Sequence, residues 1–175
     1  ITNNAKVFRN VPHRIPYTEE LVLRGEAIIK YSDFEKINAQ IDDVQAKYKN
    51  PRNLCSGSVR QLNNEITANR HVYFYAFSLV SLSGESFTNS RKDQMEWLSK
   101  LGFDTVDYQM VDAASIEESV AWFSDHVKTN DYPSDGLVLT LDDIAYSKSL
   151  GTTAKFPRDS IAFKWADELA ETTLL

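Results

Sequence analysis

Four short runs rich in β-branched and aromatic side chains, separated by helix-like segments, limit this chain to a fold that mixes strands and helices. The runs are residues 21–29, 71–80, 135–141 and 160–165, each of strand length. Between them apolar residues recur at helical spacing. Residues 32–35 (S-D-F-E) read as a capping box, followed by Phe34, Ile37, Ile41 and Val44 on one helix face. Residues 115–118 (S-I-E-E) read as a second, followed by Ile116, Val120, Phe123 and Val127. A third helix is expected from about Ser90 through Met95, Leu98 and Leu101, stopping at Gly102. There is no regular βαβ repeat and no glycine-rich dinucleotide loop. The expected class is α+β, with mixed or antiparallel sheets and packed helices, and the apolar stripes are expected to be core.

Composition narrows what such a fold can do. The chain has 175 residues, 42% of them hydrophobic, enough for one globular domain. No apolar run approaches the roughly 18 residues of a membrane span, so no membrane partner is expected. Cys55 is the one cysteine and cannot form an internal disulfide, and the three histidines have no metal-ligand spacing. That usage suits a reducing, cytoplasmic setting with no protein-built metal site. Residues 1–10 (I-T-N-N-A-K-V-F-R-N) carry neither a signal-peptide pattern nor a starting Met, so a piece of a longer chain is expected.

The net charge of −6 would count against nucleic acid if it were spread evenly. It is not. Residues 47–70 carry Lys47, Lys49, Arg52, Arg60 and Arg70 against Glu65 alone. Residues 148–164 carry Lys148, Lys155, Arg158 and Lys164 against Asp159 alone, whereas residues 104–143 hold ten acids and one lysine. A polyanion binds local positive surface, so nucleic acid stays open as a partner. Solvated charge on exposed faces is the competing explanation.

Strand alternation sorts the polar residues. In the first run Leu23, Gly25, Ala27 and Ile29 share one face, and Arg24, Glu26 and Ile28 the other. Gly25 leaves room for another backbone or a ligand. In the last run Ile161, Phe163 and Trp165 face one way, Ala162 and Lys164 the other. In the third run Leu137, Leu139 and Leu141 are expected to face the core, opposite Gly136, Val138 and Thr140. A sheet with one solvated face has this pattern. So does a pocket for an anionic ligand, with Glu26 accepting from ribose hydroxyls and Lys164 neutralising a phosphate.

Residues 48–62 (Y-K-N-P-R-N-L-C-S-G-S-V-R-Q-L) read as a turn-rich loop punctuated by Asn50-Pro51 and Gly57. Arg52 and Arg60 flank small residues whose backbone amides can reach an anion, and Arg suits bidentate phosphate contacts. Ser56, Ser58 and Cys55 have no histidine nearby in sequence and no G-x-S-x-G elbow, which disfavours a nucleophile here.

Five stretches in order resemble the nucleotidyltransferase (adenylation) domain of bacterial NAD-dependent DNA ligases. They are L-V-L-R-G-E (21–26), N-P-R-N-L-C-S-G-S-V-R-Q-L (50–62), D-G-L-V-L (135–139), L-G-T-T-A-K-F-P-R (150–158) and I-A-F-K-W (161–165). The opening I-T-N-N-A-K-V-F-R-N-V-P is similar to the segment after the family's Gly-Asp-Gly stretch. The resemblance covers nearly the whole chain. It implies an ATP-grasp-like nucleotidyltransferase fold over residues 1–175, incomplete at the N-terminus. It also implies NAD as cofactor, Mg²⁺, and nicked double-stranded DNA as partner. The other parts of such a ligase would be an N-terminal NMN-binding helical domain, an OB-fold, a zinc module and a helix-hairpin-helix module, in a monomer. The implied reaction is nick sealing by lysine adenylylation, AMP transfer to the 5′-phosphate and phosphodiester formation. By the same resemblance Glu26 would contact the adenosine ribose and Lys164 would neutralise the α-phosphate. Arg52 and Arg60 would hold phosphates, and Asp135 would organise the pocket.

Two departures from the family pattern stand out. The family's nucleophilic lysine lies in a K-x-D-G motif, which this sequence lacks; by register it would precede Ile1. The chain alone is therefore expected to be inactive. The family's D-G-x-V-x-K pattern ends in lysine, where this chain has Thr140, which cannot neutralise a phosphate. Lys148 is a candidate replacement cation. The alternative is a ligase-like nucleic-acid-binding protein without sealing activity. An RNA-end nucleotidyltransferase and a plain interaction module complete the set of readings.

Overall fold

Strands β1 (Leu21–Ile28) and β2 (Tyr73–Leu82) pair antiparallel, with Gly25 opposite Ala76 and Glu26 opposite Tyr75. This is a computed structural model, and it describes residues 1–83 and 88–165. Two register shifts leave Phe77 and Val80 of β2 without opposite residues, as β-bulges do. Strands β3 (Gly136–Thr140) and β4 (Ser160–Lys164) form a second antiparallel pair, with Lys164 opposite Gly136 and Ser160 opposite Thr140. Seven α-helices and a short 3₁₀ turn (Val44–Ala46) complete the regular structure of the described residues: α1 (Thr2–Ala5), α2 (Tyr31–Ala39), α3 (Pro51–Ser58), α4 (Asn64–Asn69), α5 (Arg91–Lys100), α6 (Ile116–His126) and α7 (Ile144–Leu150). The α+β expectation holds. Among the described residues no helix is long and apolar enough to cross a membrane.

Two apolar clusters hold the β1–β2 half together. Phe8, Ile29, Leu54, Cys55 and Val72 form one, and Ala76, Met95 and Leu98 the other. Phe74 packs against both and joins them. Leu21 and Leu23 of β1 face α5, so Arg24 and Glu26 point to the opposite, exposed side. Helix α5 is the one whose ends match the sequence best. The Ser90 hydroxyl accepts the Asp93 N–H at its start. Gly102, at φ 95°, closes its end with the Gly102 N–H on the Ser99 carbonyl and the Phe103 N–H on that of Leu98, a Schellman arrangement.

Several local expectations give way. Residues 51–58 are a helix, not a loop. The Asn50 side chain accepts the Arg52 and Asn53 N–H groups, and Pro51 occupies the first helical position, where its missing N–H costs nothing. Ser32 does not cap α2. Its N–H and hydroxyl bond to Asp131, ninety-nine residues away, and α2 ends at Ala39, before Ile41 and Val44. Ser115 makes no side-chain cap on α6; its hydroxyl donates to Asp112. The second sheet keeps only part of its expected inner face: Leu137 and Leu139 are half-buried opposite exposed Val138 and Thr140, but other apolar residues there are exposed. Ile161 is 71% exposed, and Phe163 and Leu141 are exposed too.

Candidate functional site

Three of the residues singled out in the sequence meet at one point. The Lys164 Nζ lies 3.3 Å from Asp135 Oδ2, and an Arg52 guanidinium nitrogen lies 3.7 Å from the same oxygen. The β3–β4 register brings the first two together. Lys164 pairs with Gly136, and the Trp165 N–H donates to the Asp135 carbonyl at 3.2 Å. Gly136 is what lets the strands approach. A β-carbon there would lie 2.3 Å from the Phe163 carbonyl oxygen and 2.9 Å from the Lys164 Cα. Arg52 arrives from the other half of the molecule, on the first turn of α3. All three side chains are about 70% exposed, so the two cations share one solvated carboxylate and leave a net positive charge.

Glu26 stands on the exposed face of β1, and α3 packs on the same strand through Leu54 and Cys55 near Ala27. The Glu26 charge reaches α3. Burial first, and then the Glu26 carboxylate, push the Cys55 thiol up to about 12. Cys55 is therefore a neutral core thiol, not a nucleophile. Ser58 is likewise structural: it is fully buried, its hydroxyl donates to the Leu54 carbonyl at 2.7 Å, and it accepts from Arg70. Across from Glu26, Tyr75 packs on Tyr132 with ring centroids 5.8 Å apart. Burial, followed by the hydrogen bond it donates to Asp107, raises the Tyr132 hydroxyl above its ordinary range.

The structure does not gather every expected residue. Arg60 is exposed two residues beyond α3, about 12 Å along the helix axis from Arg52 at the usual rise. Among the described residues it forms no ion pair. The Thr140 hydroxyl meets the Ser160 hydroxyl at 3.2 Å across the second sheet, a neutral pair at the far end from Lys164. Lys148 is exposed in the last turn of α7. Among the described residues no three His, Cys, Asp or Glu side chains cluster as a metal site would.

Sequence reasoning passed over two features. Phe77, 45% exposed at a bulge of β2, stands two residues on from Tyr75 and so on the Glu26 side of the sheet. Bulges leave no reliable mark in sequence, so it reads as an ordinary core aromatic. A groove of about 380 Å³ also runs between α6 and β4, walled by Glu117, Val120 and Ser124 on one side and Phe163, Lys164 and Trp165 on the other. Only the tertiary approach of α6 creates it.

Comparison with known proteins places this geometry in context. The family described as NAD-dependent DNA ligase adenylation domain matches residues 1–168. A DNA ligase of Ruminiclostridium cellulolyticum is 65% identical over 175 residues, covering 100% of this chain and 27% of the relative. A DNA ligase of Lachnoclostridium phytofermentans is 60% identical over 174 residues, covering 99% of this chain and 27% of the relative. One of Clostridioides difficile is 33% identical over 179 residues, covering 100% of this chain and 26% of the relative. The chain thus spans about a quarter of the length of these curated relatives. Match and geometry agree, and the chain belongs to the NAD-dependent DNA ligase adenylation domain family.

Proposed function

We propose that this chain is the nucleotide-handling part of a ligase that seals nicks in duplex DNA at the expense of NAD. The observation that carries this reading is the convergence of Arg52 and Lys164, from separate halves of the fold, on the Asp135 carboxylate. Exposed ion pairs are worth only about 0–1 kcal/mol, so an incoming phosphate can take the carboxylate's place between the two cations. Such pre-positioned cations stabilise the charge that develops on phosphoryl oxygens. Glu26 accepts from the ribose hydroxyls, and Phe77 offers an exposed ring face to the base. Arg60 takes a phosphate of the nucleotide or of the nicked strand.

In this reading a lysine from outside these residues attacks the α-phosphorus of NAD, and nicotinamide mononucleotide leaves. AMP then passes to the 5′-phosphate at the nick, and the 3′-hydroxyl displaces it. The described residues do not by themselves make a Mg²⁺ site, since Asp135 is engaged by two cations and no acidic cluster stands beside it. No step here is routed through the ion.

The test is an intact-mass measurement on an intact ligase carrying this chain, incubated with NAD and Mg²⁺, beside its Lys164→Ala variant. The expected result is a gain of one AMP in the first and none in the second. The isolated 175 residues are expected to gain no lysine-linked AMP, and its detection there would sink the claim that the nucleophile lies elsewhere. One observation favours a second reading, a nucleic-acid-binding relative that does not seal. Thr140 and Ser160 form a neutral pair where the family pattern ends in a cation. No AMP gain in either folded protein supports it.

A further inference from the structure

Between α7 and β4 the chain makes a tight hairpin whose purpose the fold does not explain. Gly151, at φ 66°, opens it, Thr152 bridges Pro157 antiparallel, and the Arg158 N–H donates to the Gly151 carbonyl at 3.1 Å. Thr153 closes the tip. Its N–H donates to the Phe156 carbonyl at 2.7 Å, and its hydroxyl oxygen takes the Phe156 N–H at 3.0 Å. This ordered tip holds Phe156 out into solvent, 68% exposed. Lys155 and Arg158 beside it are exposed as well, as is Lys148 at the end of α7.

Among the described residues the acids closest in sequence are each held by partners of their own. Asp159 is turned inward, its side chain 9% exposed and paired with Arg91 at 2.5 Å. Asp142 accepts from the Ser90 hydroxyl and the Lys92 N–H, and Asp143 is occupied capping α7. What faces outward is cation, aromatic, cation on a pre-ordered turn, which loses little freedom on binding. That pattern suits duplex DNA, where Lys and Arg contact phosphates and an apolar side chain enters the minor groove. Position agrees. β4 runs from the hairpin to Lys164, and its four steps from Ser160 to Lys164 span about 13 Å. That is about four phosphates along one DNA strand.

We propose that residues 151–158 grip the duplex beside the nick, with Lys155 and Arg158 on phosphates and Phe156 in the minor groove. The proposal rests on the ligase reading for its choice of partner. Its test uses an intact ligase carrying this chain and a nicked duplex blocked by a 3′-dideoxy end. Kd is measured against salt for the parent, for Lys155→Gln/Arg158→Gln and for Phe156→Ala. The double variant is expected to bind about tenfold or more weaker, and to lose about 1.8 from the slope of log K against log salt, at about 0.9 per phosphate. Phe156→Ala is expected to weaken binding about fivefold or more with the slope unchanged. Formation of lysine-AMP from NAD is expected to stay at the parent level in both variants.

Parent-like Kd and slope in the variants would overturn the proposal, and the hairpin would then face an acidic protein or another segment of the ligase. A weaker Kd with an unchanged slope in the double variant would overturn it too. A parent that forms lysine-AMP while the variants bind normally leaves the ligase reading standing. A parent that forms none removes that reading, and the salt slope still decides whether the hairpin contacts DNA.

Discussion

At Gly25 a β-carbon would lie 2.3 Å from the Tyr75 carbonyl oxygen and 2.4 Å from Phe74 Cζ. The glycine between Arg24 and Glu26 is thus there for the aromatic ring that joins the two cores, not for a ligand. Gly25→Ala is expected to cost about 1–3 kcal/mol, the usual range for overpacking. Gly57 is the contrast. It lies in α3, and a β-carbon added there would meet nothing within 4 Å, so Gly57→Ala is expected to stabilise by about 0.5–1 kcal/mol. Denaturant midpoints of the two variants, moving in opposite directions, check both. At Asp135 the charge matters more than the shape. Asp135→Asn is expected to leave the midpoint within about 0.5 kcal/mol of the parent, as exposed pairs do, while AMP transfer in the intact ligase falls at least tenfold. Unchanged transfer would mean that the carboxylate only fills space between two cations.

Among the elements, α3 owes its start to one side chain. Asn50→Ala removes the acceptor for the Arg52 and Asn53 N–H groups and is expected to cost about 1 kcal/mol. Because Arg52 sits in that first turn, the same change is expected to weaken nucleotide binding as well as lower the midpoint. Helix α2 borrows its cap from Asp131 instead. The hydrogen bond from the Ser32 hydroxyl, opposed in part by burial, holds the Asp131 carboxyl below the ordinary carboxylate range. A carboxyl lowered in the fold stabilises fully above its unfolded value of about 3.9 and loses that contribution as pH falls through the folded value. Asp131→Asn is therefore expected to be less stable than the parent at neutral pH, with the gap closing in acid. Midpoints measured at neutral and acid pH give the sign.

Across the whole molecule, polar contacts stitch the two sheets into one site. Arg91, at the start of α5, donates to the Leu141 carbonyl at 3.0 Å and pairs with Asp159 just before β4. Asn89 reaches Asp143, and the Tyr31 N–H reaches the Asp131 carbonyl. Arg52 and Asp135 meet across the same divide. Arg91→Ala would leave Asp159, whose side chain is 9% exposed, with the Ser160 hydroxyl but no cation. Because Arg91 itself is about a third exposed, the expected cost is about 2 kcal/mol, below that of a fully buried pair. AMP transfer should fall with it, since Lys164 and Arg52 depend on the two halves keeping their alignment. Transfer at the parent rate in a destabilised Arg91→Ala protein would show that the site is held by contacts other than these.

Period and punctuation were enough to read the four strands, the start of α5 near Ser90 and its Gly102 stop, because those signals are local: neighbours a few residues apart set the backbone. Glu26 and Lys164 stood out in the sequence as charged side chains inside strand-like runs, Arg52 as a cation in a turn-rich stretch, and Asp135 only through the family resemblance. Which of them meet was not legible. Arg52 and Asp135 are far apart in sequence, and only the packing of α3 on β1 and the β3–β4 register put their side chains within 3.7 Å. The same holds for the cap of α2, the ring over Gly25 and the groove beside Lys164. Each joins segments distant along the chain, and alternation or capping rules, which act over a few residues, carry no information about such contacts.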